Sequence, residues 1–111
     1  MAARKLLAGE IALIRKLLEF GDRAGLGAQL EDVLVRSLDE RSLGCFRFIP
    51  ADGRPRKFGD VAATGEAADT DHVLISFALN LDTGGELFEL DAWKEDYTPV
   101  TALPDAEKLQ K

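Results

Sequence analysis

The chain is poor in the residues from which most active sites are built. It has one cysteine, one histidine, one tryptophan, one tyrosine and one methionine among 111 residues. With Cys45 as the single thiol, an internal disulfide and a cysteine-based zinc cage are both excluded. Set between Gly44 and Phe46, it reads as a small buried hydrophobe rather than a nucleophile. His72 alone cannot build a multi-histidine metal site, and no H-E-x-x-H occurs. Gly25-Leu26-Gly27 is too short for a dinucleotide loop and follows no strand, and there is neither a P-loop nor a nucleophile elbow. No cofactor and no resident metal are therefore expected. Long apolar runs are missing as well, all falling far short of the roughly 20 residues a membrane helix requires. The opening residues are basic, yet Glu10, Arg15 and Lys16 break any signal-peptide core, so the expected location is the cytoplasm, with no membrane contact.

What is present suits an ordinary globular protein: 46% hydrophobic and 31% charged residues. The length fits one domain, expected over residues 1–104, with a polar, frayed tail over 105–111. Charge is unevenly spread. Residues 1–60 hold eleven Lys/Arg against nine Asp/Glu, a net of +2; residues 61–111 hold three against eleven, a net of −8. So acidic a second half argues against nucleic acid as a partner, because phosphates would be repelled. It favours a basic protein partner or a plain solvated face.

Apolar residues at Leu7, Ile11, Ile14 and Leu18, widened by Leu13, Leu17 and Phe20, give an amphipathic helix that Gly21 ends. A shorter helical turn is expected over Leu26–Asp32. Strands are expected at Val33–Leu38 and Cys45–Ile49, and a weak edge strand at Asp60–Ala68. The clearest pattern follows. Val73, Ile75, Phe77, Leu79 and Leu81 alternate with Ser76 and Asn80, and Asp82-Thr83-Gly84-Gly85 supplies a hairpin turn into Leu87–Trp93. The fold expected is α+β, with the N-terminal amphipathic helix packed on a mainly antiparallel sheet of about five strands. The second sheet face would then be solvated, or covered by the C-terminal segment or a partner.

Candidate sites are few. Glu86, Glu89, Asp91, Glu95 and Asp96 form the densest acidic group. Strict alternation puts Glu89 and Asp91 on one face with Leu87 and Trp93, about 6–7 Å apart. Two such carboxylates could pair as acid and base or share a cation, although no calcium-loop spacing is present. A solvated or salt-bridged role is the simpler reading. Trp93, beside Lys94 and near Tyr97, is either an interface anchor or, as the favoured reading, a residue closing the sheet over the helix. Arg47, Arg54, Arg56 and Lys57 surround the Pro50–Pro55 loop as a candidate anion-binding patch. His72, in the turn Asp69-Thr70-Asp71, could serve as a base but reads more simply as a turn residue.

The ending Asn80-Leu-Asp-Thr-Gly-Gly-Glu-Leu-Phe-Glu-Leu-Asp-Ala-Trp-Lys-Glu-Asp-Tyr-Thr-Pro99 resembles that of a family of small bacterial proteins of unknown function. Those proteins share an LFELDxWKxD(F/Y)(S/T)P motif, and Glu10–Leu18 is similar to their first helix. The chain departs from them at Asp39–Gly44, where their turn is often glycine-rich. The resemblance implies a bacterial origin and a small α+β domain, and carries over no activity, cofactor or catalytic residue.

The functional expectation is a non-enzymatic cytoplasmic interaction module, with immunity- or antitoxin-like binding as one form it could take. Its interface candidates are Glu89, Asp91, Trp93, Glu95, Asp96 and Tyr97. Two alternatives stand beside it: a small metal-dependent or carboxylate-based hydrolase using Asp91, Glu89 and His72, and a self-associating structural domain forming a homo-oligomer.

Overall fold

A computed structural model describes residues 2–111. They form a short strand β1 (Arg4–Lys5), helix α1 (Ala8–Phe20), a 3₁₀ turn (Ala24–Gln29), strands β2 (Leu34–Ser37), β3 (Phe46–Ile49), β4 (Phe58–Ala68), β5 (Leu74–Asp82) and β6 (Leu87–Lys94), and a last 3₁₀ turn (Ala106–Lys108). The architecture is α+β, as the patterning implies, but the sheet has six strands rather than about five. All pairings are antiparallel, in the order β1-β2-β3-β6-β5-β4. The added strand is β1, two residues long and invisible to a period-of-two argument.

Helix α1 is 13 residues long. Leu7 is not part of its buried stripe; it sits at the N-cap, exposed, where its N–H donates to Glu10 Oε1 at 2.8 Å. Buried Glu10 also accepts both Arg4 guanidinium nitrogens, at 2.7 and 2.8 Å, which fastens β1 to the start of the helix. That hydrogen-bonded pairing pushes the Arg4 pKa up. At the other end, the Asp22 N–H donates to Glu19 O and the Arg23 N–H to Leu18 O, a Schellman closure. Its left-handed residue is Asp22 (φ 55°), not Gly21. Gly21 is needed for a different reason: a Cβ there would lie 2.3 Å from the Ala62 carbonyl oxygen of β4.

The core lies between α1 and one face of the sheet. Leu13, Ile14, Leu17 and Leu18 meet Val35, Phe46, Phe77, Leu79 and Leu90, all buried. Val100 and Leu109 join the same core from the C-terminal segment. The stretch 105–111, expected to fray, is instead docked. Leu109 is buried, and Glu66 and Gln110 exchange two backbone hydrogen bonds, at 2.8 and 2.9 Å, on the outer edge of β4. Among the described residues, no helix is long and apolar enough to cross a membrane.

Candidate functional site

Strand alternation that buries Phe77, Leu79, Leu90 and Ala92 turns their neighbours to the opposite sheet face. That face carries exposed Thr64 and Glu66 on β4, Ser76, Ala78 and Asn80 on β5, Glu89, Asp91 and Trp93 on β6, and Arg47 on β3. The residues of the helix and C-terminal segment that join the core do so from the other side.

Glu89 and Asp91 do share a face with Trp93, but Leu87 does not. The register slips by one between Asn80↔Glu89 and Leu81↔Leu87, leaving Phe88 as the extra residue of a β-bulge. Leu87 therefore packs against the core, and Phe88 lies with Glu89, its ring 4.8 Å from the Arg47 guanidinium carbon. Sequence alternation alone cannot reveal such an insertion.

Arg47 Nη2 donates to Glu89 Oε1 at 2.8 Å, and Asn80 Nδ2 donates to Asp91 Oδ2 at 3.0 Å. Arg47 is thus bonded to Glu89, while Asp91 is held by a neutral amide. Burial, then the adjacent Glu89 carboxylate, pushes the Asp91 pKa above the ordinary aspartate value. Asn80, whose role the sequence reading missed, left a trace there: it is the one side-chain amide of β5, set among apolar neighbours Leu79 and Leu81.

Trp93 is 46% exposed. It lies across from Ser76 on the face away from the helix, so it does not close the sheet over α1. The following residues Glu95, Asp96 and Tyr97 are all exposed, and the Tyr97 backbone is left-handed (φ 62°). Asp96 accepts from the Thr98 hydroxyl at 2.6 Å and from its N–H at 3.1 Å, which holds the Asp96 pKa down.

Between these residues, Lys94 turns inward. Its ammonium lies 3.2 Å from buried Asp69 and 2.5 Å from Asp71. The Asp71 bond raises the Lys94 pKa and lowers that of Asp71. This ion triad locks the end of β6 to the β4–β5 turn. The only hint in the sequence was a lysine falling in phase with Leu90 and Ala92.

The other candidates are dispersed. Arg54 is exposed beside Asp52, and Lys57 lends its carbonyl to Thr83 N–H. Arg56 is enclosed by carboxylates, 3.1 Å from Asp52, 3.2 Å from Glu86 and 3.5 Å from Asp82. Arg54 and Arg56 both approach Asp52 Oδ2, at 3.9 and 3.1 Å, whereas Arg47 is bonded to Glu89 on the outer sheet face. His72 lies beyond the start of β5, past the Ile75↔Lys94 pair, whereas Asp91 stands opposite Ala78. His72 lies in the turn before β5, and Leu74 to Ala78 adds four residues of extended strand, on the order of 13 Å, before that level of the sheet is reached. The trio His72, Glu89 and Asp91 is not brought together. Cys45 donates its thiol to the Ala92 carbonyl at 3.1 Å, and burial raises its pKa. Among the described residues, no three His, Cys, Asp or Glu side chains gather as a metal-binding group.

With this geometry established, the chain can be placed among known proteins. The model of DUF6984, a domain of unknown function, matches residues 3–104. The chain belongs to the DUF6984 family. No curated protein and no solved structure matches it. The DUF6984 match takes in β1, the helix, every other strand and the face just described, and stops short of the docked segment 105–111.

Proposed function

We propose that this DUF6984 protein is a non-enzymatic, cytoplasmic interaction module that holds a positively charged segment of a partner protein on the outer sheet face. The contact set is Glu89, Asp91 and Trp93 on β6, continued by Glu95, Asp96 and Tyr97. The observation that carries this reading is the half-exposed Trp93 on the same face as Asp91, with the nearby guanidinium of Arg47 bonded to Glu89 instead. Two carboxylates beside one guanidinium leave a local excess of negative charge, which a lysine or arginine from outside would offset. The indole supplies a flat apolar surface on which such a cation can stack. Trp and Tyr are also the side chains most often found at interface hot spots. In the ending that resembles the small bacterial family, outward residues (Asp91, Trp93) would then bind, while inward ones (Leu90, Ala92, Lys94) hold the strand in place.

The test is capture of partners from source-cell lysate by the tagged protein at low and high salt, repeated with Asp91→Lys and Asp96→Lys. One stoichiometric, salt-sensitive partner, lost in both reversals while the far-ultraviolet spectrum stays unchanged, is the expected result. Undiminished capture by both variants would refute the assignment.

A further inference from the structure

A second site lies at the opposite end of the sheet and on its helix side. Residues 50–57 carry the chain from β3, in the middle of the sheet, to β4 at its edge, and in doing so pass the β5–β6 turn. Between this loop and the first 3₁₀ turn is a cavity of about 780 Å³. Small-molecule sites are usually roughly 300–1,000 Å³. The walls are apolar, formed by Leu26, Val33, Phe48 and Leu87.

Its rim is charged. Arg56 is tied to Asp52, Asp82 and Glu86 through its two terminal nitrogens. Its Nε is buried and has no hydrogen-bond partner among the described residues. Asp32 also lines the cavity, making four carboxylates to one guanidinium. That balance repels anions, which reverses the expectation that Arg56 helps to hold one, and attracts cations.

We propose that this cavity binds an organic ammonium compound with a large apolar group. The apolar group lies against Phe48 and Leu87, and the ammonium pairs with Asp52 and Glu86. Two sources share this chemistry: a free amine, and the first residue of a peptide chain. None of these residues belongs to the outer-face contact set, so either site can fail without the other.

The test is a nuclear magnetic resonance titration of the full chain with phenylalaninamide, with its N-acetyl derivative, with octanoate, and with a short peptide beginning in phenylalanine. Phenylalaninamide is expected to shift the amide signals of Val33, Phe48 and Leu87 to saturation, while the acetylated amide and octanoate leave them in place. Arg56 variants risk unfolding, because buried Asp82 depends on that guanidinium. Glu86→Gln, at an exposed side chain, is the safer probe and should weaken binding by about threefold or more with the far-ultraviolet spectrum of the free protein unchanged. Tighter binding of the peptide than of phenylalaninamide would assign the site to peptide N-termini, and the reverse to free amines. No shift by about 10 mM ligand, an equal response to octanoate or to the acetylated amide, or wild-type affinity in Glu86→Gln would overturn the proposal.

Discussion

Burial and the neighbouring Glu89 carboxylate both disfavour ionised Asp91, so the fold is strained electrostatically whenever that proton leaves. The folded-state pKa lies above the unfolded one. Between the two values the native state holds more protons, and stability therefore falls as pH rises from the ordinary aspartate range through the raised value. Asp91→Asn preserves an acceptor for the Asn80 amide and removes the charge. Its Tm should exceed that of the wild type at about pH 7 and approach it near about pH 3, where the aspartate is already protonated. Equal melting curves at both pH values would show that Asp91 carries no such penalty. The same substitution removes one of the charges offered to a partner. A variant at once more stable and poorer at binding is the signature expected of a residue kept for recognition.

At the scale of elements, the contact between α1 and β4 depends on a missing side chain. Gly21 has ordinary helical-side φ (−89°), so its role is not conformational freedom; the Ala62 carbonyl occupies the space a methyl group would need. Gly21→Ala should cost about 2 kcal/mol as the helix end is forced off the strand. Chemical denaturation with an unchanged m-value would check this, and wild-type stability would mean that the two elements can move apart freely. Much at this scale was legible beforehand. Periods of 3.6 and 2 sufficed for α1 and for β5, because each buries one face against the same core. The bulge at Phe88 was not legible, since an extra residue in β6 leaves the apolar alternation looking intact while moving Leu87 to the core. The separation of Arg47 from Arg54 and Arg56, and the capture of Arg56 by carboxylates, were hidden for a related reason. Proximity along the chain says nothing of which carboxylates the loop will meet, and Asp82 and Glu86 come from a turn 26 or more residues away from Arg56.

For the molecule as a whole, the segment 105–111 matters more than its polar composition suggests. Leu109 is buried in the core, where a Cβ on Gly65 would meet its side chain at 3.1 Å, and Gln110 occupies hydrogen-bonding groups on the outer side of β4. Removing 105–111 takes away a buried leucine, about 2 kcal/mol, and leaves a long edge strand open to pairing with other chains. The shortened protein should melt earlier and show concentration-dependent association on a sizing column with light scattering. A monomer of unchanged stability would show that the segment is not a latch. Composition misled here because a single leucine among polar residues is enough to dock a short segment when a glycine opposite leaves room for it.

Within the sheet, the strands of the two halves of the chain meet along a narrow join. Strands β1, β2 and β3 come from the first 49 residues and β4, β5 and β6 from residue 58 onward, and only Phe46↔Leu90 and Arg47↔Glu89 are in register between them. The sequence's uneven charge is thereby laid out across the sheet, with the arginine-bearing strands to one side and the acidic ones to the other. The protein is in effect a small electric dipole whose direction is set by strand order. In an external field, or near a charged surface, it would turn before it touched, presenting β6 and its neighbours to positive charge and β2 and β3 to negative. Immobilised on an anion-exchange matrix it should lie in one preferred orientation, outer edge first, so that labels placed on β2 stay accessible while labels placed on β4 are shielded.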